Sequence, residues 1–489
     1  MKMVHRGKQW LAIGLVALIT AIGIAGASWA QGIDPSSVEE TIADGGSVEI
    51  QKTVHTPTIP PQADICFLAD TTGSMGPALA NVQAGIGGIM TNVLAESPDA
   101  HFCAAQYRDT DVASGFTFQL DQALTTSTAD VQNAFNGWST APGIGGDALE
   151  DQLHALTVMA GASPGWRAAP AAHILVWFGD CGGHDPASGG ETLASTIDAL
   201  ATSGSGAPVI VLAVSVASAA SDCPLGYLDE PVDGHNQASE IAAGTGGLLF
   251  SSVDENAVSD AIAAALAEVE IPVTVAMVSD CSTATGGVVS TSFAPASQVV
   301  NAGEDAVFTE TISVTATPAQ QGITYECDDW ATINDEPMAD RAGNRINEHK
   351  TITVPDTTAP VAACRETTNP SGNNVPRSGP TAGNSGQNPD GFFELLASDN
   401  VDPDPDIFVV DKGTDGTFGT ADDTTFGPFS SGTKIKYTEA NGATPGQKPG
   451  AGDIDWMING RGDFGVYAVD ASGNVGDHVQ CHVPPPPKQ

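Results

Sequence analysis

Asp70, Thr72 and Ser74 stand at alternate positions directly after a short apolar run, residues 65–69. Such a run is typical of a buried parallel strand, and Pro77 is suited to the first turn of a following helix. One carboxylate and two hydroxyls at a strand-to-helix turn suit a hard cation that keeps some of its water. This favours Mg²⁺ over a soft metal. The alternative interpretation is a helix N-terminus that is capped by the Asp and Ser side chains.

This loop resembles the metal-ion-dependent adhesion site of von Willebrand factor A domains, whose pattern is Asp-x-Ser-x-Ser with Thr allowed. The resemblance covers residues 62–270. It implies an α/β doubly wound, Rossmann-like domain that holds Mg²⁺ and leaves one coordination position open. It also implies a partner protein that fills this position with the side chain of an Asp or Glu.

The resemblance implies a second ligand loop in mid-domain. Residues 145–150, Gly-Gly-Asp-Ala-Leu-Glu, are similar to the Asp-x-Pro-Glu turn of the integrin β I-like subgroup. In that turn the Glu joins the adhesion-site metal and the Asp serves a neighbouring cation, which implies Glu150 and Asp147 as ligands. Leu149 stands where the turn has Pro. Thr140, upstream in the same loop, is an alternative ligand of the commoner type.

The third ligand loop follows the apolar run 173–178, and the resemblance implies Asp180 as its distal carboxylate. From residue 64 to residue 270, apolar runs alternate with amphipathic segments, which is typical of an open, mostly parallel sheet with helices on both faces. Ligands of such sheets bind beyond the carboxyl ends of the strands, where Asp70 and Asp180 both lie. The predicted strands of this region are 64–69, 101–107, 116–120, 173–178, 208–216 and 247–251.

The start of the chain predicts a compartment. Lys2, Arg6 and Lys8 precede an apolar run over 10–27, and Ser-Trp-Ala follows at 28–30. We interpret residues 1–30 as a secretory signal peptide that is removed. A retained N-terminal membrane anchor is the alternative, because the run approaches spanning length. After removal of the signal we expect a secreted or cell-surface protein without membrane insertion.

The charge of the chain limits its partners. The sequence carries 17 basic and 59 acidic residues, for a net charge of −42. Removal of the signal takes away three basic residues and no acidic ones, which leaves 14 minus 59, or −45. This balance argues against nucleic acid or anionic lipid as a partner, since the basic surface that such partners need is missing. It also concentrates divalent cations around the protein.

Eight cysteines, an even number, follow the predicted signal, which indicates disulfides in a secreted protein. Their distribution suggests sequential pairing within each predicted domain. No Cys-x-x-Cys pattern is present, so the sequence does not favour a zinc or thioredoxin-like site. The predicted pairs are Cys66 with Cys103, Cys181 with Cys223, Cys281 with Cys327, and Cys364 with Cys481.

The rest of the chain predicts β-structure. Residues 31–61 contain a strand, 47–54, that we expect to join a β-sandwich formed by 271–356; the alternative is a disordered linker. Residues 357–489 form a C-terminal β-rich domain with a Pro tail. Its opening and closing segments, 356–361 and 469–474, resemble those of bacterial immunoglobulin-like and hyalin-type repeats. The predicted fold class is therefore multidomain, an α/β doubly wound domain over 62–270 plus two β-sandwich-like domains.

An acidic, Gly-rich stretch in the C-terminal domain has two interpretations. Asp411, Asp415, Asp422 and Asp423 are spaced around glycines. Their carboxylates could surround a Ca²⁺ ion, which takes six to eight oxygen ligands. The other interpretation is an acidic turn that is solvated by water.

The sequence as a whole predicts a binding protein rather than an enzyme. The expected function is adhesion to a protein partner through Mg²⁺, outside the cell. A second hypothesis is a structural surface or matrix protein that Ca²⁺ stiffens. A third is a secreted hydrolase that uses metal-bound water, for which the sequence offers no evident general base.

Overall fold

A computed structural model of the protein describes residues 31–109, 115–140, 149–203, 206–217, 227–340, 342–366, 390–412, 415, 417–438, 456–459 and 464–481. The helices are α1 (Gly76–Glu96), α2 (Thr128–Gly137), α3 (Gln152–Ala160), α4 (Leu193–Ala201), α5 (Gln237–Thr245), α6 (Val258–Glu268) and α7 (Cys281–Ala284). Single 3₁₀ turns cover Gly73–Met75 and Pro318–Gln320.

The strands are, in chain order, β1 (Gly32–Asp34), β2 (Ser37–Thr41), β3 (Ser47–His55), β4 (Ala63–Asp70), β5 (His101–Tyr107), β6 (Phe118–Thr125), β7 (Ala172–Gly179), β8 (Val209–Ala217), β9 (Pro231–Val232), β10 (His235–Asn236), β11 (Leu248–Asp254), β12 (Pro272–Ser279), β13 (Val289–Ala294), β14 (Ser297–Asn301), β15 (Asp305–Val314), β16 (Ile323–Ile333), β17 (Glu336–Pro337), β18 (Asn347–Val354), β19 (Val361–Glu366), β20 (Asp390–Ser398), β21 (Asp406–Asp411), β22 (Thr424–Phe429), β23 (Lys434–Thr438), β24 (Trp456–Asn459), β25 (Phe464–Val469) and β26 (Val479–Cys481).

A six-stranded sheet positions the predicted metal ligands. Its order is β11-β8-β7-β4-β5-β6, and its strands run parallel except for the antiparallel edge strand β6. Every residue of the central strand β4 is buried. Ile65 and Phe67 face an apolar cluster with α1, α2 and α6, whereas Leu68 faces a second cluster with α3, α4 and α5. Both faces of the sheet are therefore covered, and the carboxyl ends of the parallel strands are left to carry the polar loops.

Helix α1 together with the turn before it, Gly73–Glu96, is long and apolar enough to cross a membrane. Its apolar side chains recur at helical spacing, and Val82, Ile86 and Val93 are buried against the sheet. This is the pattern of a core helix that packs on a sheet.

Two further sheets pack as a sandwich. Their strands come from chain segments before and after the region that carries the predicted metal ligands. One has the order β1-β3-β15-β13, and the other has the order β14-β12-β16-β18-β2 with β17 beside β16. Strand β3 pairs antiparallel with β15 along its whole length, from Ser47 opposite Ser313 to His55 opposite Asp305. The six-stranded sheet thus lies in sequence between strands of one sandwich. The C-terminal region adds two four-stranded sheets, β19-β20-β23-β24 and β22-β21-β25-β26, around a core that includes Phe393 and Phe464.

The predicted fold class is wrong for this chain. Of the described residues, 43% lie in strands and 21% in helices, and the strands form six sheets, so the chain is mostly β and not an α/β doubly wound, Rossmann-like protein. The sequence-based interpretation gave most weight to helical periodicity between residues 77 and 269. Strand β14 and the second half of β16 were not predicted, because their residues do not alternate regularly between apolar and polar and lie next to turns.

Candidate metal centre

Asp70 is the last residue of β4 and lies opposite Tyr107, the last residue of β5. Its side chain is completely buried. The backbone N–H and the hydroxyl of Thr72 both donate to Asp70 Oδ1, at 2.8 and 2.6 Å. Asp70 Oδ2 is buried and has no hydrogen-bond partner among the described residues. One oxygen is thus fixed by the following loop, and the other is available to a ligand.

Glu150 reaches the same end of the sheet because its segment lies against the loop that follows β7. The N–H of Glu150 donates to the carbonyl of Gly182 at 3.1 Å, and the N–H of His184 donates to the carbonyl of Glu150 at 2.9 Å. The Glu150 side chain is buried, and its Oε2 has no hydrogen-bond partner within the described ranges. Asp180, also fully buried, is the first residue after β7. We refer to Asp70, Thr72, Glu150 and Asp180 as the rim cluster.

Gly179 allows the loop that carries Asp180 to approach Asp70. A β-carbon added to Gly179 would lie 3.1 Å from Cβ of Asp70 and 2.5 Å from the hydroxyl of Tyr107. These separations are too short for an ordinary side chain, so the end of β7 needs a glycine to stand this close to the end of β4. Tyr107 is held in place by a hydrogen bond from Trp177 Nε1 at 3.0 Å.

The carboxylates of the rim cluster perturb each other. Burial raises the pKa of Asp70 to about 7, and the charge of Asp180 adds to this rise. Burial also raises the pKa of Glu150 to about 10, with the charges of Asp70 and Asp109 as further causes. Dehydrated acids at close range favour either a bound proton or a bound cation. The local electrostatics therefore create a demand for positive charge.

Four of the predicted metal ligands lie at the carboxyl end of the six-stranded sheet, and whether they share an ion stays a prediction. Asp70, Thr72, Glu150 and Asp180 form the rim cluster, and Ser74 lies in the 3₁₀ turn that follows Thr72. The alternative ligand Thr140 lies beside the start of α1, where its Cγ2 is 3.9 Å from the position of a β-carbon on Gly76. Asp147 lies outside the described residues.

The sequence analysis missed two polar residues at the end of β5. Asp109 is buried, its Oδ1 lies 3.2 Å from His184 Nε2, and its charge raises the pKa of Glu150. Arg108 donates from Nε to Thr71 Oγ1 at 3.0 Å; burial lowers its pKa, and the charge of Asp70 opposes this change. Both residues follow the predicted strand 101–107 as Asp70 follows 64–69, so the rule that identified Asp70 would have identified them.

The donor set fits a hard divalent cation. Every side chain of the rim cluster offers oxygen, as carboxylate or hydroxyl, and none offers sulfur or imidazole. The buried oxygens Asp70 Oδ2 and Glu150 Oε2 lack a hydrogen-bond donor in the described part of the chain. Buried carboxylates of this kind are stabilised by metal coordination. Mg²⁺ and Ca²⁺ both meet these requirements.

The acidic stretch of the C-terminal domain has a different character. Asp423 Oδ2 accepts from the N–H groups of Gly419 and Thr420, at 2.6 and 3.2 Å, and Asp415 Oδ1 accepts from the N–H of Thr417 at 2.8 Å. The other two acids of the predicted calcium set, Asp411 and Asp422, lie in the same partly exposed hairpin. Calcium binding by this stretch stays a prediction.

Three disulfides are present among the described residues, and all three were predicted. They join Cys66 to Cys103, Cys281 to Cys327, and Cys364 to Cys481. The fourth predicted pair involves Cys223, which lies outside the described ranges. Disulfides are typical of proteins that fold in an oxidising, extracellular environment.

No family model matches the chain, and no curated protein matches it. Among solved structures, proximal thread matrix protein 1 from the mussel byssus is similar over 46% of this chain and 48% of that chain, with 16% sequence identity and a TM-score of 0.32. A second crystal form of that protein matches with 15% identity and a TM-score of 0.29, over 45% of this chain and 48% of the other. The similarity spans about half the length of either chain.

Proposed function

We propose that this chain binds another protein outside the cell through a divalent cation at the rim cluster. The observation that carries the proposal is the pair of buried carboxylate oxygens, Asp70 Oδ2 and Glu150 Oε2, which are electrostatically coupled and have no hydrogen-bond donor in the described structure. The similarity of the Asp70 loop to the adhesion site of von Willebrand factor A domains supports the same function.

In this proposal the resident ion is Mg²⁺, and the partner contributes an Asp or Glu carboxylate. The bound ion supplies a local positive charge. Without it, a mature chain with a charge of −45 would repel an acidic partner. Hydroxyl ligands leave more of this charge uncompensated than carboxylates do, which favours an additional anionic ligand. The residues that hold the ion are Asp70, Thr72 and Ser74, with Glu150 or alternatively Thr140, and with Asp180 through water; Asp147 serves a neighbouring cation.

A titration with Mn²⁺ tests this proposal, because Mn²⁺ replaces Mg²⁺ and reports its own exchangeable water through proton relaxation. We expect the mature full-length chain to bind Mn²⁺ with at least one exchangeable water. Acetate should displace that water, whereas the uncharged analogue acetamide should not. Asp70→Ala should remove this signal. Asp130→Ala, which changes an exposed acid in the first turn of α2, should retain it.

Two results would contradict the proposal. Equal Mn²⁺ binding by the wild-type chain and Asp70→Ala would show that the rim cluster is not the metal site. Water that acetate cannot displace would show a closed site. That second result would favour the structural hypothesis, in which the ion only stiffens the fold.

A further inference from the structure

A second group of acids lies between the sandwich and the C-terminal sheets. Asp356 lies in the linker that joins β18 to β19, Asp399 follows β20, and Asp470 follows β25. One carboxylate oxygen from each residue lies within 4.8 Å of the other two. We call these three residues the junction cluster. None of them belongs to the rim cluster or to the acidic hairpin, which carries Asp411, Asp415, Asp422 and Asp423.

The junction cluster is largely withdrawn from water and is not satisfied by the protein. Asp356 is 8% exposed and Asp470 is 5% exposed. Asp356 Oδ1 accepts from the N–H of Thr358 at 3.1 Å, whereas Asp356 Oδ2 is buried without a hydrogen-bond partner in the described structure. Asp399 Oδ1 is likewise buried without a hydrogen-bond partner among the described residues. A buried carboxylate oxygen without a donor is costly unless an ion binds it.

The neighbouring groups hold the carboxylates in fixed orientations. Asn474 donates to both oxygens of Asp470, from its N–H and from Nδ2, each at 2.8 Å. The same Nδ2 lies 3.1 Å from the carbonyl oxygen of Asp356. Asp399 Oδ2 accepts from two backbone N–H groups of the following loop, at 2.8 and 2.9 Å. The cluster is thus preorganised by contacts that leave other oxygens available.

The cluster lacks a positive partner. Within the described ranges, no lysine, arginine or histidine forms an ion pair with Asp356, Asp399 or Asp470. A fourth oxygen donor is adjacent: Oδ1 of Asn400 is buried and has no hydrogen-bond partner there either. Three carboxylates and an amide oxygen form an all-oxygen set. Ca²⁺ suits such a set better than Mg²⁺ does, because it accepts more oxygens in less regular geometry.

The cluster lies beside contacts between the sandwich and the C-terminal sheets. Asn400 Nδ2 donates to the carbonyl of Pro318 in the sandwich at 2.6 Å, and the hydroxyl of Thr358 donates to Gln321 Oε1 at 2.8 Å. A β-carbon on Gly322 would lie 2.6 Å from Val401 Cγ1, so the two units are in close contact there. An ion at the junction cluster would connect the linker, the ends of β20 and β25, and this contact.

We propose that Asp356, Asp399 and Asp470 bind Ca²⁺, and that the ion fixes the C-terminal sheets against the sandwich. The proposal is independent of the function assigned to the rim cluster. A negative result for one proposal does not affect the other, because the two sites consist of different residues and are measured in different segments.

Hydrogen exchange of the full mature chain, in Ca²⁺ and in chelator, tests this proposal segment by segment. With Ca²⁺ at one hundred times its dissociation constant, we expect exchange of the backbone amides of Thr358, Ala471 and Asn474 to slow by about 100-fold, because the ion must leave before the junction opens. Asp399→Asn should abolish this effect, since it removes one charge but retains an oxygen for the loop N–H groups. Asp477→Asn, an exposed acid in the same region, should respond as the wild type does.

The outcomes are distinct. Ca²⁺-dependent protection in the wild type and in Asp477→Asn, but not in Asp399→Asn, would support the proposal. No Ca²⁺ effect on these amides in the wild type would overturn it, as would an equal effect in Asp399→Asn. Asp70→Ala should keep the junction response, which separates this site from the rim cluster. Exchange of β20 and β21 in chelator that equals the wild type would show that the C-terminal sheets of Asp399→Asn are folded.

Discussion

Two regions of this molecule bury several carboxylates together, and they neutralise them differently. In the sandwich, Glu310, Asp329 and Glu348 lie with Lys52 and Lys350, and all five side chains are completely buried. We call these five residues the sandwich network. In the rim cluster, by contrast, no lysine or arginine forms an ion pair with Asp70 or Glu150 among the described residues. One region contains its own lysines, whereas we propose that the other binds a cation from solution.

The sandwich network connects the two sheets across the core. Lys52 lies 3.2 Å from Glu310 and also contacts Glu348 on the opposite sheet. Lys350 lies 3.1 Å from Glu310, 2.6 Å from Asp329 and 2.9 Å from Glu348. Along β15, residues before Glu310 join one apolar cluster and residues after it join another. The network therefore occupies a polar layer between two apolar ones.

The net charge of the sandwich network depends on whether Glu310 is protonated. Burial raises the pKa of Glu310 to about 7, although Lys350 and Lys52 act to lower it. Below about pH 7, a proton on Glu310 would leave the three carboxylates and two lysines without net charge. The raised pKa values of Asp70 and Glu150 reflect the same demand where no lysine meets it. Buried acids that lysines accompany thus form a structural network, and we propose that buried acids without lysines form an ion site.

Removing a lysine from the sandwich network should have the largest effect. Lys350→Met leaves three buried carboxylates with only Lys52, and breaking a buried ion pair in this way costs about 3–5 kcal/mol. We expect this loss in the free energy of opening of β15 and β18. Exchange of their slowest backbone amides measures it without assuming that the whole chain unfolds in one step.

A double variant separates charge from packing. Lys350→Met with Glu348→Gln leaves two carboxyls, one lysine and the proton on Glu310, which again sum to zero. More than half of the lost stability should return. If the double variant is no more stable than Lys350→Met, the loss arises from the shape of the site, and the comparison with the rim cluster fails.

Removal of a charge from the rim cluster should stabilise the metal-free protein, whereas removal of a lysine from the sandwich network should destabilise it. Asp70→Asn removes a dehydrated carboxylate whose pKa is raised by about three units, so the metal-free protein should gain stability at pH 8, by at most about 4 kcal/mol. In Mg²⁺ at one hundred times its dissociation constant, the wild type should gain about 2.7 kcal/mol and the variant nothing. Exchange of the slowest backbone amides of β4 and β7, with and without Mg²⁺, measures both changes.

The conservative change Asp130→Asn should leave both values at those of the wild type. A metal-free Asp70→Asn protein that is less stable than the wild type would show that Asp70 already has its countercharge within the chain. The rim cluster would then belong with the sandwich network.

Some of this architecture could be predicted from local sequence. The apolar run ending at Asp70 and the helical spacing of α1 predict a polar loop at a strand end, and the structure has one. Alternation over 47–54 likewise places Lys52 on the same face as Val54, which is buried. A lysine on an apolar face indicates a buried partner, although the sequence analysis did not use this signal.

The partners themselves could not be predicted from the sequence. Lys52 meets Glu348 across 296 positions of sequence, and only the pairing of β3 with β15 and the packing of the two sheets bring them together. The junction cluster is similar, since Asp356, Asp399 and Asp470 lie in separate segments with no common spacing. Local patterns predict which residues face inward. They do not predict which strands become neighbours, and this is why the proportion of β-structure and two of the three buried acid groups were missed.

The pH dependence of the sandwich network should have a definite sign. The pKa of Glu310 is raised from 4.5 to about 7 in the folded chain, so the native state holds this proton more tightly than the unfolded state does. Its contribution is fully present below pH 4.5 and is lost as the pH rises through 7, by at most about 1.4 kcal/mol per pH unit. The side chain of the Glu310→Gln variant does not ionise, so this contribution does not change with pH. The stability difference between wild type and Glu310→Gln should therefore change over this window, and a constant difference would contradict the proton assignment.

The acidic hairpin of the C-terminal region should show the smallest effect, and it tests whether burial rather than the number of acids creates the demand for a cation. Asp423 is partly exposed and accepts two N–H groups of its own loop, which an Asn side chain can also accept. We expect Asp423→Asn to change stability by less than about 0.5 kcal/mol. Ca²⁺ should alter exchange of the Gly419 and Thr420 amides less than twofold, because water already solvates these charges. Calcium protection here as strong as at the junction cluster would show that acid spacing alone forms a site, and burial would lose its role in distinguishing the regions.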